Sequence, residues 1–274
     1  MSTTIRELEP KEVWNRFADI NAVPRPSKKE QKITAFMVDF GKKLGLETTS
    51  DAYGNVIIRK PATAGLENKK PIILQSHLDM VCQKNNDTVF DFDNQGIETY
   101  IDGDWVRAKG TTLGADNGMG VAAIMAILES KTIAHPALEA LFTTDEETGM
   151  TGAQKLSNDA LKGEILLNLD TELDTEIEIG CAGGIDVSAY ADYKEEATPS
   201  DVVAYHIVVT GLLGGHSGME IHIGRGNANK IMNRVLFHQY EKHGLRLAQL
   251  HGGGLRNAIP RESEAIVVVP KKNQ

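Results

Sequence analysis

Apolar runs of strand length alternate with helical patterns along the first 170 residues, and this alternation limits the fold more than any other feature. The runs PIILQSH (71–77) and ALEALFTT (137–144) lie on either side of an apolar helical segment, 117–129, and EILLNLD (164–170) follows them. Apolar strands that alternate with helices form a sheet covered on both faces. We therefore expect an α/β domain with a mixed, mostly parallel sheet and helices on both faces.

Further elements are predicted before this sheet. Residues 7–20 have helical spacing, and SKKE at 27–30 matches a capping box, which predicts that a second helix opens there and fades near 41–45. Two short β-like runs follow, at 46–51 and 55–60, with a turn between them.

The pattern changes after Gly180, where the order of elements becomes β-α-β-β. The predicted elements are a strand at 202–212, a helix at 227–243 and strands at 245–251 and 264–270. This order predicts the first part of a second, α+β domain. We place the boundary near residue 183, which gives domains of residues 1–183 and 184–274.

Charge and apolar patterning exclude several classes of partner. The formal net charge is −9 and the pI is near 5.4, which argues against nucleic acid or an anionic membrane as a partner. The N-terminus lacks the apolar core of a secretory signal, and no stretch reaches the roughly 20 apolar residues of a membrane span. We expect a cytoplasmic protein in which both cysteines, Cys82 and Cys181, are reduced thiols.

Polar side chains stand at the ends of the apolar segments. They are His77, Asp79, Asp116, Glu146, Glu147 and Asp170. In α/β sheets the functional crevice lies outside the carboxyl ends of the strands, so these side chains should converge. Gathered carboxylates repel one another unless a cation lies among them, and one imidazole with three carboxylates suits zinc, manganese or cobalt. Two ions that share a bridging carboxylate, about 3.5–4 Å apart, would use this charge most fully.

Each motif has a simpler interpretation when it is taken alone. A histidine at a strand end is usually a satisfied surface or core residue, an Asp-Glu-Glu run is usually a solvated turn, and LGADNG also matches an ordinary helix cap. The shared position of these motifs at consecutive strand ends favours the metal site.

Glu146 and Glu147 are neighbours and cannot both point at one ion from the same geometry. We assign Glu147 as a ligand and Glu146 as the general base, which takes a proton from a water whose pKa the ions lower. Asp145 is left as a structural or solvent-facing residue. Residues i and i+2 of an extended segment project to the same side, so Asp79 can hydrogen-bond the far nitrogen of His77 and fix its tautomer.

At these residues the chain resembles the co-catalytic di-zinc peptidases, the family that includes carnosinases, aminoacylases and carboxypeptidase G. The matching segments are SHLDMV, GADNGMG, TTDEETGMTGA and LLNLDTE. The resemblance implies two divalent metal ions, with zinc favoured and cobalt or manganese as alternatives. It also implies that the peptide bond between Asp116 and Asn117 is cis.

The resemblance implies a role for each residue of the cluster. His77 and Asp170 would bind one ion, and Asp116 would bridge both ions. Glu147 would bind the second ion, while Glu146 would act as base and then as acid on a metal-bound water. Asp79 would orient the imidazole.

The second domain resembles the lid or dimerisation domain of dipeptidases in this family, through GGHSGMEIHIGRGNANK and GGGLRNAIPRE. By this resemblance His216 reaches toward the substrate carbonyl and Asn257 contacts the substrate. It implies a small peptide substrate, of the Xaa-His type such as carnosine, and a homodimer formed through the lid.

One feature of the family pattern is missing from the sequence. The pattern requires a further metal-ligand histidine after the lid, but nothing follows Gln274, and the remaining histidines are His135 and a group within the lid segment. The chain therefore reads as the N-terminal portion of a longer polypeptide, and we expect it to be inactive alone. Two other hypotheses stay open: an amidase or deacylase of N-acyl amino acids on the same fold, and a non-catalytic fragment.

Overall fold

The computed structural model of the protein describes residues 4–171, 173, 175–180, 183, 185 and 187–274. It divides into two compact units, Met1–Ile177 and Glu178–Gln274, so the boundary predicted near residue 183 falls just inside the second unit. Cys82 carries a free thiol, and Cys181 lies outside the described residues. None of the described helices is both long and apolar enough to cross a membrane.

The first unit alternates strands and helices as the apolar pattern predicts. Its described helices are α1 (Lys11–Asn21), α2 (Gln31–Lys43), α3 (Ala115–Glu129), α4 (Glu146–Gly149) and α5 (Thr151–Lys155). Its described strands are β1 (Glu47–Ser50), β2 (Val56–Lys60), β3 (Ile72–His77), β4 (Thr99–Asp102), β5 (Trp105–Ala108), β6 (Leu138–Thr143) and β7 (Ile165–Asn168).

The main sheet of the first unit has the strand order β1-β2-β6-β3-β7. Strand β3 pairs in parallel with β6 and β7, whereas β2 is antiparallel to both of its neighbours, so the predicted mixed sheet is confirmed. Because β3, β6 and β7 run in the same direction, their carboxyl ends meet at one edge of the sheet. Strands β4 and β5 form a separate hairpin.

Both faces of this sheet pack against other parts of the unit. Alternate residues of β2, β3 and β6 contribute to a core with α1, α2 and α3, in which Phe17 and Phe142 are fully buried. The opposite face packs against the residues that follow α5. The side chains involved are Ile57, Ile73, Leu141, Leu156, Ala160 and Leu161. All six residues of β6 are buried, as expected for the central strand.

Strand β7 is the outer strand of the sheet and is exposed to solvent. Ile165, Leu166 and Leu167 are 42%, 51% and 48% exposed. The apolar run predicts the strand correctly, but its exposure follows from its place in the sheet, because within the described residues it pairs with β3 alone.

The second unit has the predicted β-α-β-β order. Its elements are β8 (Val202–Val209), α6 (Ala228–His243), β9 (Arg246–Gly252) and β10 (Ser263–Pro270). The strands form an antiparallel sheet in the order β8-β10-β9. Helix α6 packs on this sheet, where Met232 and Leu236 meet Ala265 and Val267.

Two helix starts differ from the sequence-based prediction. Helix α1 begins at Lys11 and not near residue 7, because Pro10 fixes its own φ and has no N–H to offer within a helix. The capping box at Ser27–Glu30 is wrong, since α2 begins at Gln31 and no side chain caps it. Lys28 has a φ of 67°, so the chain turns within the motif. The side chains of Ser27 and Glu30 hydrogen-bond instead to distant residues, Asp79 and the backbone of Asp145.

Candidate metal centre

The three parallel strands carry the candidate residues to one edge of the sheet. His77 ends β3, Glu146 and Glu147 follow β6 in α4, and Asp170 follows β7. Asp116 lies in the first turn of α3, and its peptide bond to the next residue is cis, as the resemblance implies.

The imidazole of His77 is the centre of this group. Its Nε2 atom lies 2.9 Å from Asp116 Oδ1, 3.7 Å from Asp170 Oδ1 and 3.9 Å from Glu146 Oε2. Ligand atoms lie within 4.8 Å of one another in two sets, one of His77, Glu146 and Asp170 and one of His77, Asp116 and Glu147. The structure therefore brings all five candidate residues together.

The centre is buried on one side and open on the other. The side chain of His77 is 1% exposed, whereas the side chains of Asp116, Glu146 and Asp170 are 49%, 33% and 26% exposed. A solute can therefore reach the carboxylates without displacing the imidazole.

Asp79 lies on the far side of the imidazole, where the sequence predicts it. His77 Nδ1 is 3.1 Å from the Asp79 backbone oxygen and 3.3 Å from its Oδ1 atom. Both neighbours are acceptors, so Nδ1 carries a proton and Nε2 faces the other carboxylates. When Nε2 loses its proton, the remaining Nδ1–H tautomer is the one in which Nε2 can ligate a metal ion.

The same aspartate also holds the backbone of the two glutamates, which the sequence does not reveal. The N–H of Glu146 donates to Asp79 Oδ1 at 3.0 Å, and the N–H of Glu147 donates to Oδ2 at 3.2 Å. The Ser27 hydroxyl donates to Oδ2 at 2.7 Å. One fully buried carboxylate thus fixes both the imidazole and the start of α4.

The electrostatics of the cluster show an excess of negative charge. Burial raises the pKa of Glu147 to about 7, and repulsion from Asp116 adds to it. Burial and repulsion from Asp116 likewise raise the pKa of Asp170 to about 6. Burial alone would lower the pKa of His77, but hydrogen bonds to Asp116 and Asp79 outweigh it and raise this pKa to about 10.

These properties fit a divalent cation. The donor set consists of one imidazole nitrogen and several carboxylate oxygens that face a common volume, which suits zinc, cobalt or manganese. A cation there would relieve the repulsion that raises the carboxylate pKa values.

Two residues beside the ligands have structural roles that the sequence pattern leaves open. Asn117 Nδ2 donates to the Leu169 carbonyl at 2.8 Å and to Asp170 Oδ1 at 2.9 Å, which holds Asp170 toward the cluster. Asp145 is buried with a φ of 53°, and its carboxylate accepts the hydroxyls of Thr148 and Thr151. Asp145 is therefore structural and does not face solvent.

A third acidic group lies beneath the centre. Glu30, Asp79 and Asp145 are all buried, with carboxylate oxygens within 4.8 Å of one another. Each of these carboxylates accepts hydrogen bonds from N–H or O–H groups of the protein, so this group supports the loops. Glu30, which the sequence pattern predicts as part of a helix cap, therefore has a supporting role, and burial raises its pKa.

The two candidate residues of the second unit are close to each other. His216 Nδ1 accepts hydrogen bonds from the N–H groups of Gly218, at 3.0 Å, and Met219, at 3.1 Å. The neutral ring therefore carries its proton on Nε2. The N–H of Ser217 donates to the carbonyl of Asn257 at 2.9 Å, which joins the GGHSG turn to the LRNAIP segment.

In comparisons with known proteins, this chain matches peptidases. A model described as peptidase family M28 matches residues 55–203, and one described as a peptidase dimerisation domain matches residues 207–274. The chain is 49% identical over 265 residues to the cytosol non-specific dipeptidase of Escherichia coli (strain K12), which covers 97% of this chain and 55% of that protein. It is 25% identical to the uncharacterized protein YqjE of Bacillus subtilis (strain 168), over 89% of this chain and 60% of that protein.

The chain also matches solved structures of peptidases. The aminoacylhistidine dipeptidase from Vibrio alginolyticus matches with a TM-score of 0.65 and 47% identity, over 99% of this chain and 55% of that one. A tripeptidase from Staphylococcus aureus matches with a TM-score of 0.50 and 17% identity, over 94% of this chain and 66% of that one, which shows the fold alone. The chain spans about half the length of the dipeptidases that it matches.

Loss of a ligand should weaken metal binding more than loss of the residue that orients it. We expect His77→Ala and Asp116→Ala to reduce zinc affinity more than Asp79→Ala, because an orienting hydrogen bond is typically worth about 10–100-fold. Calorimetric titration of the apoprotein with zinc measures the affinity of each variant. Asp159→Ala, a surface change, is the control, and a larger loss in Asp79→Ala would show that Asp79 is itself a ligand.

Proposed function

We propose that this chain, which belongs to peptidase family M28, forms part of a metal-dependent dipeptidase, called the intact protein below. Its residues 207–274 match a peptidase dimerisation domain. The observation that carries the proposal is the His77 centre, with its facing carboxylates and the adjacent Glu146. Dipeptides that end in histidine, such as carnosine, are the proposed substrates. The name of the Vibrio alginolyticus relative, at 47% identity, supports this class.

Two divalent ions would occupy the centre, with zinc as the favoured metal. His77 and Asp170 would hold one ion, Glu147 the other, and Asp116 would bridge them. When bound, the ions would supply Lewis acidity, which lowers the pKa of water and polarises the peptide carbonyl. The positive charge of the ions would lower the pKa values of Glu147 and Asp170, which burial raises. Both carboxylates would then stay ionised at neutral pH.

Glu146 would transfer the proton. Asp79 accepts a hydrogen bond from the backbone N–H of Glu146, and the partly exposed Glu146 carboxylate lies at the open side of the centre. It would take a proton from the attacking water and pass it to the leaving amine. Since Glu146 also lies within ligand distance of His77 and Asp170, the alternative assignment makes it a metal ligand.

The change Glu146→Gln distinguishes these assignments. We expect metal content to stay at two ions per intact chain while kcat for carnosine falls by about 10²–10⁴-fold, because the amide cannot accept the proton. Metal analysis and steady-state kinetics at saturating zinc measure both, with the surface change Glu164→Gln as control. A kcat equal to that of the wild type would refute the assignment of Glu146 as the general base. Loss of one metal ion would show that Glu146 is a metal ligand.

His216 would act on the substrate and not on the metal ions. Two backbone N–H groups occupy its Nδ1, so Nε2 is available as a hydrogen-bond donor. A donor of this kind stabilises the oxyanion that develops on the carbonyl oxygen during attack. Asn257, joined to the same turn through its backbone, would contact the substrate as well.

Removal of this imidazole should slow the reaction without loss of metal. We expect His216→Ala to lower kcat by about 10²–10³-fold, the usual effect of losing one oxyanion donor. The metal count of the purified protein should equal that of the wild type. His222→Ala, which removes an exposed imidazole from the same segment, is the matched control, and metal loss in His216→Ala alone would contradict the proposed role.

The dimerisation domain supports a homodimer of the intact protein. Strand β9 is exposed along its length at the edge of the second sheet, and Phe237 and Tyr240 of α6 are 59% and 54% exposed. These apolar side chains and the edge strand are the surface that we propose for the second copy, and sedimentation of the intact protein tests it. The cytosolic Escherichia coli relative supports a cytoplasmic location.

The second candidate function keeps the centre and changes the substrate to an N-acyl amino acid. We expect the intact protein, loaded with zinc, to hydrolyse carnosine in preference to acetyl-amino acids, because the relatives with the highest identity named above are dipeptidases. Kinetics with both substrates measure the preference, and the apoprotein is the control. A higher kcat/KM for acetyl-amino acids would favour the deacylase.

A further inference from the structure

The segment Arg25–Glu30 supplies none of the candidate ligands, yet it contacts three of the four segments that carry them. We propose that this segment is a brace that positions Asp79 and, through it, the imidazole and the two glutamates of the centre. The inference rests on the proposed function, since it assigns positioning residues for the same site. Its three contact residues are Arg25, Ser27 and Glu30.

Arg25 joins two of the loops. Its side chain is buried, and Nη1 donates to the carbonyl oxygens of Leu78, at 3.2 Å, and Asp79, at 2.9 Å. Nη2 donates to the carbonyl of Gly114 at 2.5 Å. The guanidinium therefore connects the segment after β3, which carries Asp79, to Gly114, the residue directly before α3 and two residues before Asp116.

The glycines of the GADNGMG motif make room for this guanidinium. A Cβ atom on Gly118 would lie 2.7 Å from Arg25 Nη2 and 3.0 Å from Phe17 Cε2, and one on Gly114 would also meet Nη2. Gly114 has a φ of 70°, a conformation that favours glycine. The space beneath the centre is thus shaped around Arg25.

Ser27 contacts the carboxylate at the middle of the site. Its hydroxyl donates to Asp79 Oδ2, the oxygen that also accepts the Glu147 N–H. The Met80 N–H donates to the Arg25 carbonyl at 3.2 Å, and Pro26 and Met80 form an isolated parallel bridge. The backbone contact sets the distance at which the serine meets the aspartate.

Glu30 holds the third loop. Its Oε1 atom accepts the N–H of Asp145 at 3.0 Å and the N–H of Lys28 at 2.8 Å. Asp145 is in the left-handed region and directly precedes Glu146, so this bond fixes the turn from which α4 begins. A buried carboxylate is costly unless it is fully hydrogen-bonded, and here it is used to place a backbone.

The contacts give the brace a consequence that simple support of the fold would not have. If Ser27 positions Asp79, its loss should change the metal centre of a protein that is still folded, although the apoprotein loses some stability because a buried carboxylate loses one donor. The matched control is Ser157, whose hydroxyl also donates to an aspartate, Asp159, but on the surface.

The experiment compares Ser27→Ala with Ser157→Ala in the intact protein, with Co²⁺ as the probe. We expect Ser27→Ala to weaken Co²⁺ binding by about 10–100-fold, the usual effect of losing a hydrogen bond behind a ligand, and to alter the visible Co²⁺ spectrum. It should lower kcat for carnosine with little change in KM. The apoprotein should stay folded at the temperature of the titration, with a thermal midpoint somewhat below that of Ser157→Ala because a buried carboxylate has lost a donor.

A second pair of variants tests the Glu30 contact. Glu30→Gln keeps an oxygen that can accept the Asp145 N–H, so its Co²⁺ affinity should be close to that of the wild type. Glu30→Ala removes the acceptor and should lose affinity. If Glu30→Ala fails to fold, a loss of Co²⁺ affinity in Glu30→Gln as large as that in Ser27→Ala would count against the contact.

The brace would be overturned if Ser27→Ala had the Co²⁺ affinity, spectrum and kcat of Ser157→Ala. Failure of the proposed function gives a different result, because a wild-type protein that binds Co²⁺ but hydrolyses neither carnosine nor other dipeptides would refute the activity alone. The Co²⁺ affinities of the variants would still decide whether the brace positions the centre.

Discussion

Repulsion between carboxylates is the constraint on which the arrangement of this protein depends. Three parallel strands bring His77, Glu147 and Asp170 to one edge of the sheet, where the two carboxylates and Asp116 of α3 surround the buried imidazole. Burial and mutual repulsion raise the pKa of Glu147 and of Asp170, so His77 alone does not offset the negative charge of the group. A divalent cation resolves this conflict, and the catalytic chemistry that we propose uses the same charge.

The candidate ligands are held in place by groups outside the proposed ligand set. Asp79 contacts the imidazole of His77 on one side and two backbone N–H groups on the other, so one carboxylate transmits its position to three candidate residues. Beneath it, Arg25 and Ser27 fix Asp79 in turn. Such a layered arrangement limits the movement of each ligand, which a metal site with defined geometry requires.

The sequence predicts the parts of this structure that follow from local pattern. The apolar runs give the strands, and the rule that strand ends converge gives the cluster around His77. The sequence pattern does not predict the brace because its contacts span long separations, 52 residues from Ser27 to Asp79 and 115 from Glu30 to Asp145. A local motif, the capping box, competed for the same side chains, and periodicity carries no information about such distant partners. The exposure of β7 depends in the same way on its place in the sheet.

An anomalous difference map at the zinc edge, from crystals of the intact protein, shows directly whether two metal ions lie beside His77. We expect two peaks beside His77, one of them within about 2.0–2.1 Å of its Nε2 atom, with Asp116 between them. Asp79 and Glu30 should contact neither ion. Peaks that avoid His77, or an ion bound among Glu30, Asp79 and Asp145, would contradict it.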